Sequence, residues 1–424
     1  MTRKCFYVLT ILIFSISNIA FPQGDDLESL ISRSIKLSPK IKMLKAKRNV
    51  AYNRITQNSN LPDPMLTLAL ANLPTNTFAF NQDPMTGKVI GLTQTFPFPG
   101  KLSAIENESA IDTLIIDQEI NDEVNKITQS VTKSYYDLNY FRRAIYYAKE
   151  SKKLLKEIEN VVSVKYKVST ATQQNVIKVQ LEQTKILNKI EELKSREKSA
   201  LSVLNSYLLQ DANSYIQTEQ IEKVNTITVT SQELNKLAQI NRPFLKGIKL
   251  SEEKARLKQT VAQKDFYPNF TLGFLYSFRD RIASTGTDLN NLVTFSLGIS
   301  LPINYGGKVT SKVEEAVSLQ NLYEEQYSSA MQFLSGRFGS DIAELKSIEE
   351  RINLFEYGLL PQAQQNLKSA LASYQVNEVD FINVIDAQDQ LFQIETNLYR
   401  LKTSYLKQIA DLEFLTGTSL SASR

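Results

Sequence analysis

A mainly α-helical chain that contributes to a membrane β-barrel is the fold class the sequence predicts. Three observations carry that expectation. One helix–strand–strand–helix pattern occurs twice, four segments alternate over the length of a membrane strand, and the helical stretches that follow are long and periodic, the first of them free of helix breakers.

At the start of the chain, residues 1–23 read as a secretory signal peptide. Arg3 and Lys4 give a positive start, and Phe6 to Ile16 is an apolar run too short to span a bilayer as a helix. Cleavage is expected at Ala20, with Gln23 as the alternative, and removes Cys5, the only cysteine. With His also absent, the mature chain has neither thiol nor imidazole. That excludes Cys and His nucleophiles, His bases and the usual zinc and copper ligand sets. No carboxylate pair forms an acid–base constellation, and Gly306-Gly307-Lys308 lacks the spacing of a phosphate loop. No catalytic residue, cofactor or metal site is therefore assigned, and the chain does not read as an enzyme. The net charge of +4 comes with no basic block, which argues against nucleic acid as a partner. No cysteine follows the apolar run to carry a lipid anchor. No later stretch reaches about 18 consecutive apolar residues, so any membrane crossing must use strands.

The pattern divides the mature chain into two repeats, 24–230 and 231–424. A helical segment from about Asp25 to Asn60 contains Ser38-Pro39 and ends in Leu61-Pro62-Asp63-Pro64; its counterpart from about Ser231 to Phe266 contains Arg242-Pro243 and ends in Tyr267-Pro268. Each is followed by a strand, a polar loop and a second strand. The exits Thr95-Phe96-Pro97-Phe98-Pro99-Gly100-Lys101 and Ser300-Leu301-Pro302-Ile303-Asn304-Tyr305-Gly306-Gly307-Lys308 then lead into long helices. Landmarks recur 204 to 208 residues apart, from Pro39 to Pro243 and from Tyr166 to Tyr374. Several matches in one order point to an internal repeat rather than to chance helical likeness.

Strands are expected near 64–72, 88–96, 269–278 and 291–301. In the third, Phe270, Leu272, Phe274, Tyr276 and Phe278 share one face; in the fourth, Val293, Phe295, Leu297, Ile299 and Leu301 do, with Thr294, Ser296, Gly298 and Ser300 opposite. Each approaches the roughly 9–11 residues that a tilted membrane strand needs. An apolar face suits lipid and a small polar face suits a wet lumen. Half of a soluble β-sandwich would alternate in the same way. Since a closed barrel needs about eight strands, four in a membrane require several chains.

No Pro or Gly lies between Gly100 and Arg242. Residues 101–168 could thus form one helix of about 100 Å at about 1.5 Å per residue. Ile120, Val124, Ile127, Val131, Leu138, Phe141, Ile145 and Ala148 give it a seam, and Val384, Ala387, Leu391, Ile394, Leu398, Leu401, Tyr405, Leu412 and Leu415 give a second one near the end. A soluble coiled coil has the same periodicity. Tyr166 to Ala171 and Tyr374 to Val379 read as hairpin tips, and Gly358-Leu359-Leu360-Pro361 as a loosened turn in the third arm.

With these pieces in place, the chain resembles the TolC outer-membrane efflux family over about residues 25–418. The resemblance rests on the duplicated order, the Gln94-to-Lys101 exit, Leu360-Pro361-Gln362-Ala363 and above all the Tyr374-to-Gln388 stretch. Family members carry a Tyr-x-x-Gly tip followed by an Asp-Val-Leu-Asp-Ala-like run. The Leu61-Pro62-Asp63-Pro64 opening and Asn72-Leu73-Pro74 resemble the heavy-metal and multidrug branch. The resemblance implies a homotrimer in which each protomer gives four strands to a shared twelve-stranded barrel in outer-membrane lipid, above a coiled-coil helical barrel across the periplasm. It implies a periplasmic adaptor and an inner-membrane pump of the RND type as partners, and export of small molecules or metal ions from a Gram-negative bacterium.

Two departures from the family pattern bear on the site. Ser169 and Asn377 stand where the family has the tip Gly. Asn tolerates a left-handed backbone better than Ser does, so the two tips are expected to differ in detail. Two acidic positions of the periplasmic entrance correspond to Asn383 and Asp386, so only Asp386 keeps its charge. The gate is therefore placed at Asp386, Asn383, Tyr374 and Asn175, with Tyr374 expected to bond Asn175 across the hairpin. The adaptor-contacting tips are placed at Val168, Ser169, Thr170, Val376, Asn377 and Glu378. The rival reading is a periplasmic adaptor or coiled-coil scaffold, which would show one hairpin between compact β-domains.

Overall fold

The computed structural model describes residues 26–420; the signal peptide expected at 1–23 lies outside them. Asp26 caps α1 (Leu27–Leu37) by accepting from the Ser29 amide at 2.9 Å. The helix stops at Ser38 because a residue before proline disfavours the α region. Ser38 then caps α2 (Pro39–Ser59), with Pro39 in the first turn where no N–H is needed. The second half repeats the device. Thr230 and Glu233 form a reciprocal capping box on α5 (Ser231–Asn241), Arg242 breaks the helix, and Pro243 opens α6 (Pro243–Lys264). Each segment read from sequence as one helix is thus two.

Four antiparallel strands, β1 (Met65–Ala71), β2 (Gly87–Phe96), β3 (Phe270–Phe278) and β4 (Leu292–Ile299), form one sheet in the order β1-β2-β3-β4. The central β2–β3 pair joins the two halves of the chain, with Phe96 opposite Phe270 and Lys88 opposite Phe278. β4 stops at Ile299, short of the expected 301; Pro302 cannot donate to a ladder, and Ile303 N–H turns back to the Leu301 carbonyl at 2.9 Å. Register places Leu66, Leu68, Ile90, Leu92, Leu272, Phe274, Phe295 and Leu297 on one face, and all of them are exposed, Phe295 by 79%. The other face carries Thr67, Gly91, Thr93, Gly273, Ser277, Thr294, Ser296 and Gly298. At Gly273 an added Cβ would displace the Ser296 hydroxyl of the neighbouring strand from its position.

Below the sheet, α3 (Lys101–Lys167) runs unbroken for 67 residues, about 100 Å at about 1.5 Å per residue. It returns through α4 (Gln173–Tyr207). In the second half, α7 (Lys308–Leu354) passes through a π turn at Phe355–Leu359 into α8 (Leu360–Gln375), and α9 (Phe381–Thr416) returns. The π turn falls at Gly358 and Pro361, where the missing proline N–H frees a carbonyl of the preceding turn. Asp265, at the end of α6, receives Lys101 from the start of α3 at 2.6 Å and Lys312 from α7 at 2.5 Å. Burial alone would raise the Asp265 carboxyl, but the two lysines outweigh it and hold it below its ordinary value.

Three buried cores divide the helices. About midway along α3, Leu30, Val131, Leu138, Leu204 and Ile216 pack together in the first half. Leu234, Leu334, Phe338, Tyr405 and Leu412 do so in the second half. Toward the tips a single core takes Leu155, Val162, Val179, Val384 and Ile385 from both halves, so the two hairpins pack as one unit. Each fully buried aliphatic side chain contributes roughly 1.5–3 kcal/mol.

Between α4 and α5, residues 208–230 contain no regular element and form a strap across α3 and α9. Side chains satisfy its backbone. The hydroxyls of Tyr135, Tyr399 and Tyr405 accept from the amides of Glu219, Ile221 and Ile227, each at 3.0 Å. Asn139 donates to the Glu219 carbonyl at 2.6 Å, and buried Lys402 donates to the Glu222 carbonyl at 2.7 Å while pairing with Glu356 of the π turn at 3.0 Å. Burial raises all three phenols, so they stay neutral acceptors well above neutral pH.

Candidate functional site

The sequence-selected residues gather at the end of the helices remote from the sheet. Both hairpins turn in the same way. Ser169 takes φ 62° and Asn377 φ 65°. Thr170 N–H reaches the Lys165 carbonyl at 2.8 Å and Glu378 N–H the Ser373 carbonyl at 2.9 Å, while Ser169 and Asn377 N–H reach Tyr166 and Tyr374 at 3.0 and 3.2 Å. This paired closure is a Schellman motif, with the left-handed residue just past the helix end. The tips therefore share one backbone, contrary to the difference expected from Ser and Asn. The residues just before the turns, Val168 and Val376, are each 63% exposed. Thr170 and Glu378 are exposed as well.

Serine is the poorer choice at a positive φ. Ser169→Gly is expected to stabilise the first tip by about 1 kcal/mol or less, the left-handed penalty of about 1–2 kcal/mol less the backbone freedom glycine adds to the unfolded chain, and Ser169→Val to destabilise it, because Gly alone adopts that region freely. Heat-induced dissociation of the purified protein measures both; an unchanged midpoint for the valine variant would remove strain from the account of this turn.

The second tip is held by a residue that sequence reasoning passed over. Lys165, two residues before the end of α3, donates to the Tyr374 carbonyl at 2.7 Å and to Asn377 Oδ1 at 2.5 Å. Its ammonium also sits 4.7 Å over the Tyr374 ring, which tilts against Phe381 at 5.4 Å. Asn377 thus gives the turn a side-chain acceptor that glycine lacks. Tyr374 is buried, and burial raises its phenol while the nearby Asn175 amide, in the first turn of α4, acts the other way. The hydroxyl nonetheless closes no hydrogen bond of normal length. The cross-hairpin tie expected between Tyr374 and Asn175 is carried instead by Lys165, through the ring and carbonyl of Tyr374.

On α9, Val384, Ile385, Ala387 and Gln388 face the core, and Gln388 donates to Ser151 of α3 at 2.5 Å. Asn383 and Asp386 lie on the exposed face with Ile382, Asp389 and Gln390. Asp389 is the second carboxylate of that face, one turn beyond Asp386, and Gln393 donates to it at 2.6 Å. The i, i+3 step from Asp386 was its only signal in the sequence. Among the described residues no cluster of His, Cys, Asp and Glu could hold a metal ion, and no helix is long and apolar enough to cross a membrane.

Comparison with known proteins agrees with this architecture. Residues 234–418 match the family model described as outer membrane efflux protein. Outer membrane protein TolC of Vibrio cholerae serotype O1 is 25% identical over 202 residues, 45% of this chain and 44% of that protein. The matched region spans less than half the length of that relative. The crystal structure of the outer membrane protein VceC from Vibrio cholerae superposes with a TM-score of 0.75 at 17% identity, covering 93% of this chain and 97% of that one. The Campylobacter jejuni CmeC outer membrane channel gives 0.75 at 15% identity, covering 94% and 87%. At such identities the superpositions speak for the fold, and the sequence matches speak for descent. The class they define together is the TolC-type outer membrane efflux protein. Residues 234–418 match that family's model, the chain shares the fold of its solved channels, and the relatives it resembles are outer membrane proteins.

Proposed function

We propose that the chain is the outer-membrane duct of a tripartite efflux system: a homotrimer that receives small molecules or metal ions from an inner-membrane RND-type pump and a periplasmic adaptor. The sheet carries this reading. Its apolar face is exposed, and β1 and β4 have no partner on their outer edges among the described residues. Unpaired strand edges are not tolerated in lipid, so the sheet must close. Three copies supply twelve strands, above the minimum of about eight for a closed barrel. An adaptor or scaffold has no use for such a face, which speaks against the rival reading.

We read residues 24–230 and 231–424 as two repeats of one unit, giving six near-equivalent tips in the trimer. Val168, Ser169 and Thr170 with Val376, Asn377 and Glu378 are the surface that meets the adaptor. Asp386, with Asp389 one turn on and Asn383 beside it, lines the periplasmic entrance, and Tyr374, clamped by Lys165 and with Asn175 near its hydroxyl, sets the position of the second tip. Three sets of carboxylates around one axis attract cations, repel anions and bind multivalent cations that block the pore. In planar bilayers, Asp386→Asn is expected to lower cation selectivity and to relieve block by multivalent cations added on the periplasmic side. Unchanged selectivity together with unchanged block would return Asp386 to the ordinary solvated charges of a helix.

A further inference from the structure

Aromatic side chains bound the exposed apolar band at both ends. At the loop end, Tyr276 and Phe278 meet edge-on with centroids 4.7 Å apart, and Lys88 lies 4.7 Å over Phe80. Asp280 neutralises Lys88 there at 3.0 Å. At the helix end, Phe96 faces Phe270 across the β2–β3 pair, and just below them Phe98 stacks on Tyr267 at 4.4 Å. Lys264, the last residue of α6, holds its ammonium 5.7 Å from the Phe98 ring and 5.9 Å from the Tyr267 ring.

The two ends differ in charge. Lys264 pairs with no carboxylate among the described residues, because the adjacent acid, Asp265, is already shared by Lys101 and Lys312. The helix end therefore carries an ammonium with no acceptor among the described residues beside its aromatic stack, whereas at the loop end Lys88 has Asp280 and the Arg279 guanidinium donates to the Asn290 and Pro84 carbonyls at 2.7 and 3.2 Å. This group also sits at the foot of the two central strands, away from the edges at which another copy would pair.

We propose that Lys264 and the Phe98–Tyr267 stack form a headgroup site for an anionic phospholipid of the periplasmic leaflet. The proposal rests on the reading of the sheet as part of a membrane barrel. Tyr rings settle at the level of the headgroups, and aromatic girdles flank the apolar band of a membrane barrel. Cation–π contact holds the ammonium at that level rather than letting it trail into the periplasm. A phosphodiester with no ammonium of its own satisfies Lys264, whereas a zwitterionic headgroup brings a competing cation. The lipid's acyl chains then lie along Phe270, Leu272 and Phe274.

The chain has no tryptophan, so one introduced residue reports alone. Tyr267→Trp keeps an aromatic face in the stack. Trimers of this variant are placed in phosphatidylcholine vesicles that hold, at equal mole fraction, either phosphatidylglycerol or phosphatidylcholine with a quencher on the headgroup. The anionic label is expected to quench about fivefold more effectively, the enrichment one lysine near a membrane surface provides. Adding Lys264→Gln should bring the two labels level. A second variant, Phe295→Trp, reports on the barrel itself through quenching by lipids brominated in their acyl chains. If Phe295→Trp is quenched but the two headgroup labels act equally on Tyr267→Trp, the lipid site is overturned and the barrel stands. Persistence of the preference in Lys264→Gln overturns the role of Lys264, and absence of quenching at Phe295→Trp overturns the barrel and the site together.

Discussion

Phe295→Arg is expected to abolish assembly. Phe295 lies at the middle of β4, opposite Phe274 with ring centroids 5.4 Å apart, on the face with the exposed leucines. An arginine on the lipid face near the bilayer midplane costs roughly 2–4 kcal/mol, and the trimer proposed above would carry the change three times. Thr294 is the neighbouring residue on the opposite face, so Thr294→Arg places the same charge in the water-filled interior and is expected to leave assembly nearly intact. Detergent extraction followed by size-exclusion chromatography reads the trimer yield for both variants. Equal yields, or a parent chain that runs as a monomer without detergent, would contradict the barrel.

Lys165→Met should open the entrance. The substitution keeps the alkyl stem and removes a charge that donates to the Tyr374 carbonyl and to Asn377 Oδ1. Charge-assisted hydrogen bonds contribute about 1.5–3 kcal/mol when buried, but solvent screening at this half-buried site reduces that to about 1 kcal/mol per protomer. If the three second hairpins swing together, the closed-to-open ratio falls about a hundredfold, at about 1.4 kcal/mol per factor of ten. Asn377→Gly removes one of the two acceptors, relaxes the turn and should act in the same direction with a smaller effect. Lys156→Met serves as control, because Lys156 pairs with Glu159 on its own helix at 2.7 Å and ties nothing across the hairpins. Single-channel open probability separates these cases: a Lys165→Met channel that behaves like the Lys156→Met control would show that the clamp does not hold the gate.

The sequence by itself determined the fold class. Alternation along Phe270–Phe278 and Leu292–Ile299 reports which side chains share a face, because successive residues of a strand point to opposite sides. The lack of Pro and Gly after Gly100 allowed the 67-residue helix, and Gly358 with Pro361 marked the π turn, because helix continuity depends on hydrogen bonds only four residues apart. Asp386 was legible through the family motif, but Asp389 needed the exposed face of α9 to be seen whole. The strap at 208–230 offered no periodicity and no punctuation, since its backbone is satisfied by tyrosine, asparagine and lysine side chains from distant helices. The same limit hid Lys165, which reads as a solvated lysine until α3 is packed against a tip more than two hundred residues further along the chain. Periodicity and helix breakers act between near neighbours and can be read along the chain, whereas these ties form between groups brought together only when the two hairpins share one core.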